Sequence, residues 1–165
     1  MDYIFENYNL NLLDCDENTC KIQLHPKQGQ ALLKERRKLY ILHFNNEILY
    51  VGEANNSIKT RFQRGCNSFN YYIKKGFARN GYKGYKWLNK ENLYRNLLVT
   101  IVIFNDRYDN DRKFIEAVEG ELVYLTRNKL KYWPKFQNEI HFSNYEGAKE
   151  IAEEIFSTII ENSFD

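Results

Sequence analysis

The chain has 165 residues, of which 43% are hydrophobic and 16% aromatic, which suits one folded domain and excludes wholesale disorder. Its longest apolar run, Leu97 to Phe104, is far shorter than the roughly 20 residues that a membrane-spanning helix needs. The first residues do not have the pattern of a secretory signal, and Cys15, Cys20 and Cys66 lack metal-site spacing. These features predict a cytoplasmic protein with reduced thiols and no membrane partner.

The net charge is only +2, but the charges are distributed unevenly. The stretch from Ser57 to Arg95 holds ten basic residues and one acidic residue, so it carries +9 and the rest of the chain −7. Nine aromatic residues lie among those basic residues. Basic side chains pair with phosphates, and rings stack on bases. The pattern therefore favours a nucleic-acid partner over an ordinary solvated face.

The first third of the chain predicts a helix, a β-hairpin and a second helix, after a weakly periodic start. Good helix formers follow Pro26 and predict a helix over Lys27 to Arg37. Leu39 to Phe44 and Ile48 to Gly52 are apolar, β-favouring runs joined by a polar turn, which is typical of a β-hairpin. Ser57 to Arg64 then predicts a short helix that begins after a serine N-cap.

The remaining elements complete an α+β pattern. A helical piece near Phe69 to Lys75 is followed by an ordered loop, and the continuous apolarity of Leu97 to Phe104 favours a central strand. Arg112 to Lys131 predicts a long helix with one apolar stripe, which Trp133-Pro134 ends. The capping-box pattern at Ser143 to Glu146 opens a last amphipathic helix. We therefore expect a small, mostly antiparallel three-stranded sheet flanked by helices.

Residue types used in phosphoryl chemistry fall on successive predicted elements: Tyr40, Tyr50, Arg61 and Glu121. Leu39-Tyr40-Ile41 and Tyr50-Val51-Gly52 place the two tyrosines ten residues apart on the hairpin. This order of hairpin, arginine helix, strand and glutamate helix resembles the GIY-YIG nucleases over roughly residues 38 to 138. The small chain is most similar to the compact type II restriction endonucleases of that family.

The chain departs from the family pattern at three places. Lys38 stands where the family usually has glycine, and Gly65 stands where some members carry a histidine one helical turn after the arginine. Members often end the core with an asparagine after a proline. Here Pro134 is followed by both Gln137 and Asn138, and the sequence leaves open which of them has that place.

The resemblance implies a metal-dependent hydrolysis of phosphodiester bonds. Glu121 would hold one Mg²⁺ or Mn²⁺ in each active site, since a hard cation prefers oxygen ligands and keeps most of its waters. Arg61 would hold a phosphate oxygen. One tyrosine would accept the proton of the attacking water, and we assign this role by hypothesis to Tyr40, with Tyr50 orienting phosphate or water. Glu119 is a competing metal ligand that the helical stripe predicts to face solvent.

We expect a single nuclease domain over residues 1–165, with an N-terminal extension 1–37, a core 38–138 that contains a basic aromatic insert 66–95, and a C-terminal segment and helix 139–165. A restriction enzyme of this kind would cut a short duplex DNA site, as a homodimer on the DNA where that site is palindromic. Direct base reading would use Arg79, Asn80, Lys83, Lys86 and Asn89. The predicted DNA-binding residues are Lys59, Arg64, Lys74, Lys75, Arg79, Asn80, Lys83 and Lys86.

Three alternatives remain at the level of sequence. The first is a phage or DNA-repair nuclease that recognises DNA structure instead of sequence. The second is a non-catalytic nucleic-acid-binding module, which would not need the two tyrosines, the arginine and the glutamate together. The third is a basic protein-interaction domain, whose binding would persist at high salt, whereas phosphate contacts weaken steeply with salt.

Overall fold

The computed structural model describes residues 2–16, 19–33, 36–45, 47–88, 94, 96–138 and 140–163, without the side chains of 14–16, 19–20 and 162–163. It has the predicted α+β class, with an antiparallel sheet of five strands and three longer helices. In chain order the elements are β1 (Tyr3–Asp16), β2 (Thr19–His25), β3 (Lys38–Phe44), β4 (Glu47–Ala54), α1 (Ile58–Lys75), β5 (Asn96–Phe104), α2 (Arg112–Leu130) and α3 (Ala148–Ser163). None of the described helices is long and apolar enough to cross a membrane.

The sheet has the strand order β2-β1-β5-β3-β4, so β5 occupies its centre. From Val99 to Phe104 every residue of β5 is buried, because helices and loops cover both faces of the sheet. The prediction of a central strand here is confirmed. The predicted hairpin is also confirmed, since β3 and β4 pair directly, with Tyr40 opposite Gly52.

The prediction of three strands is wrong because the N-terminal extension supplies two more. In β1 the residues Tyr8, Leu10 and Leu12 are buried, and the asparagines between them point away from that core. This alternation of apolar residues with asparagine is a period-two signal, and it marks a strand with one buried face. β1 pairs with β5 over nine residues, so the extension is part of the main sheet.

The predicted helix over residues 27–37 is wrong as well. Within the described part of that range the helical structure is a single 3-10 turn, Gln30–Leu32. The Glu6 carboxylate accepts hydrogen bonds from the backbone N–H groups of Gln30 and Ala31 at 2.8 and 2.9 Å, and from the Tyr8 hydroxyl at 2.6 Å. These contacts with β1 hold the segment against the sheet, and they outweigh its local helix propensity.

The two helical pieces predicted on either side of Gly65 form one helix, α1. It buries Ile58, Phe62 and Cys66 against the sheet and ends at Gly76, whose left-handed φ of 75° suits glycine. Cys66 is a free, buried thiol. The side chains of the other two cysteines lie outside the described residues.

Helices pack on opposite faces of the sheet and leave the edge strand β4 to be covered by the chain after α2. Tyr40 and Leu42 belong to the core under α1, whereas Leu39 and Ile41 belong to the core under α2 and α3. Three hydrogen bonds join β4 to residues 132–137: Ile48 N–H to the Tyr132 hydroxyl, Phe136 N–H to Leu49 O, and Val51 N–H to Gln137 Oε1. Because residues 132–137 occupy this edge of β4, it is not open for pairing with a strand of another chain. The same segment brings residues 136–138 beside the two tyrosines.

Candidate active site

Tyr40 and Tyr50 lie side by side on the α1 face of the hairpin. Their ring centroids are 5.8 Å apart, and the Tyr40 ring meets Phe62 of α1 edge-on at 5.2 Å. Both rings pass over Gly52. A Cβ atom at Gly52 would lie 2.5 Å from the Tyr40 hydroxyl oxygen and 2.6 Å from Tyr50 Cε1, so the glycine is required by the packing of the two rings.

Replacing Gly52 by alanine is therefore expected to displace one or both tyrosines. The added methyl group overpacks a fully buried site, and such changes typically cost about 1–3 kcal/mol of unfolding free energy. Thermal unfolding followed by circular dichroism measures the loss. A Tm equal to that of the wild type would contradict the close packing of the rings on Gly52.

Arg61 projects from the first turns of α1 into a cage of tyrosine rings. Its Cζ atom is 5.9 Å from the ring centroids of Tyr40 and Tyr82 and 5.7 Å from that of Tyr85. Partial burial lowers the pKa of the guanidinium, but the surrounding tyrosine hydroxyls raise it by more, so Arg61 keeps its charge. No carboxylate of the described residues forms an ion pair with it. A partly buried cation in this position is a site for an anion.

The two tyrosines differ in their access to solvent. Tyr40 is fully buried, and its hydroxyl makes no hydrogen bond of good geometry among the described residues, although the hydroxyls of Tyr85 and Tyr50 lie close enough to interact with it. Burial, followed by the hydroxyls of Tyr85 and Tyr50, raises the pKa of Tyr40 well above its usual value, against the opposing effect of Arg61. Tyr50 is only partly buried and lines a cleft. Burial and the charge of Glu119 raise the pKa of Tyr50 to about 12, again opposed by Arg61.

The carboxylate that the structure brings to this site is Glu119. Burial, and then the charges of Glu53 and Glu116, raise the pKa of Glu119 to about 8, and the positive charge of Arg61 opposes them. Glu119 also acts electrostatically on Tyr50. Glu119 and Glu121 are both partly exposed, so exposure does not separate the two carboxylates; what distinguishes Glu119 is its charge interaction with Arg61 and Tyr50.

Glu121 lies roughly 200° further around the helix than Glu119. It shares the side of Phe114, whose ring meets Tyr145 just before α3. No interaction among the described residues joins Glu121 to Arg61 or to either tyrosine. The reason is that α2 is buried by the sheet on one side and by α3 on another, so its buried arc is wider than the single stripe that the sequence indicates.

The insert folds back over Arg61 and forms the wall of the cleft. Its tip is a tight turn between Arg79 and Tyr82, where Asn80 and Gly81 have φ values of 51° and 73°, as a type I′ turn requires. The chain then returns through Tyr85 and Trp87, which are buried. The two aromatic rings stack with centroids 3.9 Å apart.

The cleft between this wall and β4 has a volume of about 240 Å³. It is lined by Tyr50 from β4, by Tyr82, Tyr85 and Trp87 from the insert, and by Asn138. Lys86 Nζ donates a hydrogen bond to Asn138 Oδ1 at 2.6 Å at its rim. Of the two candidates after Pro134, Asn138 therefore lies at the cleft, while Gln137 holds the edge of β4.

The predicted DNA-binding side chains all lie at the surface, on α1 and on the insert: Lys59, Arg64, Lys74, Lys75, Arg79, Asn80, Lys83 and Lys86. The Arg79 guanidinium lies 4.5 Å from the Tyr71 ring centroid, and Lys83 Nζ lies 5.2 Å from that of Tyr72. Lys83 and Lys86 also line the cleft. Asn89, the further predicted base-reading residue, lies outside the described residues.

Sequence reasoning missed Tyr82 and Tyr85 as members of the site, and it left Asn138 open as one of two candidates after Pro134. The Asn-Gly pair at residues 80–81 is a strong signal for a tight hairpin turn, and it could have predicted that the insert doubles back. Nothing in the sequence indicates that the segment after this turn packs on Arg61.

Within the described part of the chain, no group of three or more histidine, cysteine, aspartate or glutamate side chains is arranged to hold a metal ion. The sequence matches no protein-family model and no curated protein, and no solved structure matches this one.

Proposed function

We propose that the protein is a metal-dependent endonuclease that hydrolyses phosphodiester bonds in duplex DNA, of the type II restriction kind. The observation that carries the proposal is the caged guanidinium of Arg61. It is positively charged, partly buried and without an ion-pair partner among the described residues, next to a cleft that Tyr50 lines.

The anion best suited to this site is a phosphate of a polymer. A guanidinium offers a planar fork of N–H donors that matches two phosphate oxygens. The cleft of about 240 Å³ is smaller than most small-molecule sites, and exposed basic residues extend from it along α1 and the insert. A backbone phosphate in the cleft would place its neighbours along these basic residues, as binding of a long nucleic acid requires.

Tyr50 is the better candidate for accepting the proton of the attacking water. Its side chain reaches the cleft, whereas Tyr40 is fully buried. A pKa of about 12 is too high for an efficient base in the free protein, but a phosphate beside Arg61 and a cation near Glu119 would change this environment. Tyr40 would then support Arg61 and Tyr50 by packing. This reverses the roles that the sequence-based hypothesis gave to the two tyrosines.

A hard divalent cation fits the chemistry of Glu119. Glu119 is partly buried, and the charges of Glu53 and Glu116 disfavour its ionised form further, so that form needs positive charge nearby. Glu53 is already paired with Arg37, at 2.6 Å, and Glu116 with Arg112, at 2.8 Å, which leaves Glu119 as the candidate ligand. When bound, Mg²⁺ or Mn²⁺ supplies Lewis-acid stabilisation of the charge that develops on the phosphate. The chain's own part is to hold the phosphate with Arg61 and, once Tyr50 has lost its own proton to solvent, to take the proton of the attacking water at the Tyr50 phenolate oxygen.

The direct test is incubation of the wild type with plasmid and phage DNA, with magnesium and then with EDTA. Discrete fragments that need magnesium support a sequence-specific nuclease. Cleavage confined to branched or damaged DNA would replace restriction by structure-specific cutting. If no DNA is cut but DNA mobility shifts and the shift fades as salt rises, the protein is a binding module and the catalytic proposal fails.

The two tyrosines give a prediction of their own. Tyr50→Phe is expected to lower the cleavage rate by about 10²–10⁴-fold, the range for losing a general base, and Tyr40→Phe by less than tenfold. Because the Tyr40 hydroxyl is buried and makes no hydrogen bond of good geometry, its removal should change the free energy of unfolding by no more than about 1 kcal/mol. Single-turnover cleavage and thermal unfolding of both variants measure these effects. A dead Tyr40→Phe beside an active Tyr50→Phe would restore the original roles.

A further inference from the structure

Tyr85 ties the insert to α1 through a contact that needs glycine. A Cβ atom at Gly65 would lie 1.8 Å from Tyr85 Cε2, so the ring occupies the space of the missing side chain. Beside it, a Cβ atom at Gly84 would lie 2.4 Å from the backbone nitrogen of Phe69, and Gly84 has a left-handed φ of 80°. Gly65 on α1 and Gly84 on the insert thus allow the two segments to pack closely, and this packing places the Tyr85 ring against the helix.

In this position Tyr85 contacts Arg61 directly and Tyr50 through Trp87. Its hydroxyl donates a hydrogen bond to the carbonyl oxygen of Arg61 at 3.2 Å, and its ring lies 5.7 Å from the Arg61 guanidinium. Its ring stacks on Trp87, which in turn meets the Tyr50 ring at 5.3 Å. Tyr85 is only 4% exposed, so these contacts hold its ring in place.

The same segment reaches the surface only a few residues away. Arg79 and Asn80 at the turn are exposed, and Tyr82 is 38% exposed although its ring faces Arg61. The path from the exposed turn to the buried Tyr85 is short. Tyr82 at the end of the turn and the buried Tyr85 both place their rings against Arg61.

We propose that Tyr85 is a positioning residue that couples DNA contact at the Arg79–Tyr82 turn to the placement of Arg61 and Tyr50. This rests on the proposed nuclease function. DNA bound at the turn would press the Tyr85–Trp87 stack more firmly against α1 and β4 and so fix Arg61 and Tyr50 around the phosphate. Coupling of this kind lets an enzyme discriminate between DNA sites in the rate of cleavage as well as in binding.

The test uses two substitutions that leave Arg61 and Tyr50 untouched. Gly65→Ala pushes the Tyr85 ring from its seat, and Tyr85→Phe removes only the hydroxyl. We expect single-turnover cleavage to fall about 100-fold for Gly65→Ala and about 10-fold for Tyr85→Phe, with DNA affinity within threefold of the wild type. Asn67→Ala, an exposed change on the same helix, is the control and should cleave normally. Arg79→Ala should weaken DNA binding.

A purely structural role for Tyr85 gives a different result. If cleavage per folded molecule is unchanged in Gly65→Ala and Tyr85→Phe while both lose thermal stability, the proposal is overturned. It is also overturned if the effects of Tyr85→Phe and Arg61→Lys on the cleavage rate simply multiply, because coupled residues are not additive.

A second readout separates this proposal from the nuclease function. In a Trp133→Phe background Trp87 is the remaining tryptophan, and it reports directly on the stack. Adding duplex DNA should change its fluorescence in this background and not after the further change Gly65→Ala. If the protein cuts no DNA but shows this difference, the nuclease function fails and the coupling stands. No fluorescence change on DNA binding overturns the coupling.

Discussion

Replacing Glu119 by glutamine is expected to reduce magnesium-dependent DNA cleavage by about 10³-fold or more, whereas Glu121→Gln leaves it within threefold. The reason is position: Glu119 interacts electrostatically with Arg61 and Tyr50, and Glu121 lies on another side of α2. Losing charge stabilisation at a reacting phosphate costs several kcal/mol. Plasmid cleavage by the two variants, which differ only in the place of an isosteric change, measures the difference. The opposite ranking would assign the carboxylate role to Glu121.

Glu119→Gln, which is expected to impair cleavage, should stabilise the folded protein at high pH. The pKa of Glu119 is about 8 in the folded protein and about 4.5 when unfolded, so the folded state binds more protons between these values. The contribution of the Glu119 carboxyl to the free energy of unfolding is therefore fully present below about pH 4.5. It is lost as the pH rises through 8, by on the order of 3 kcal/mol. Glutamine does not ionise, so the stability of Glu119→Gln should not show this pH dependence. At pH 8 the variant should be more stable than the wild type. Urea unfolding at pH 5 and pH 8 measures it.

Magnesium provides the matching control for this carboxyl. At pH 8 the cation should raise the Tm of the wild type, since a ligand that binds the folded state stabilises it, and should not raise that of Glu119→Gln. This result does not depend on cleavage. An equal shift in both proteins would place the cation elsewhere.

Replacing Arg61 by lysine is expected to lower the cleavage rate by about 10²–10³-fold, the usual cost of losing one donor to a developing negative charge. Lysine keeps the charge but not the planar fork, and its ammonium does not fill the space between three tyrosine rings. Single-turnover cleavage at saturating DNA measures the effect on the chemical step.

Arg64→Lys is the control for Arg61→Lys. Arg64 lies on the same helix, and its side chain is exposed. We expect a small change in its DNA affinity and no change in its cleavage rate. If Arg61→Lys behaves in the same way, Arg61 is a surface contact and the phosphate site lies elsewhere.

Local signals in the sequence were sufficient for the elements whose neighbours in space are also neighbours in the chain. The β3–β4 hairpin, the central strand β5 and the long helix α2 each follow from apolar periodicity and turn residues. The residues after Pro26 are the opposite case. Their composition favours a helix, but hydrogen bonds that backbone N–H groups of this segment donate to the Glu6 carboxylate, more than twenty residues earlier in the chain, hold it in a short turn.

The same distinction applies to the site. Tyr40, Tyr50 and Arg61 were predicted from the order of their elements, and the structure brings these three together, because a hairpin and the helix directly after it pack on each other. The contributions of Glu119, Tyr85 and Asn138 come from distant parts of the chain. Their positions depend on how α2 packs between the sheet and α3 and on how the insert folds back over α1. Neither of these follows from local periodicity.

Residue types and their spacing were enough to predict an α+β protein with a basic, aromatic segment next to a tyrosine hairpin and an arginine helix. The enclosure of Arg61 by tyrosine rings, the access of Tyr50 rather than Tyr40 to the cleft, and the interaction of Glu119 rather than Glu121 with Arg61 became visible in the folded protein alone. The physical reason is that residue type and spacing set local structure, whereas burial, and with it the pKa and access of each group, depends on which distant segments pack together.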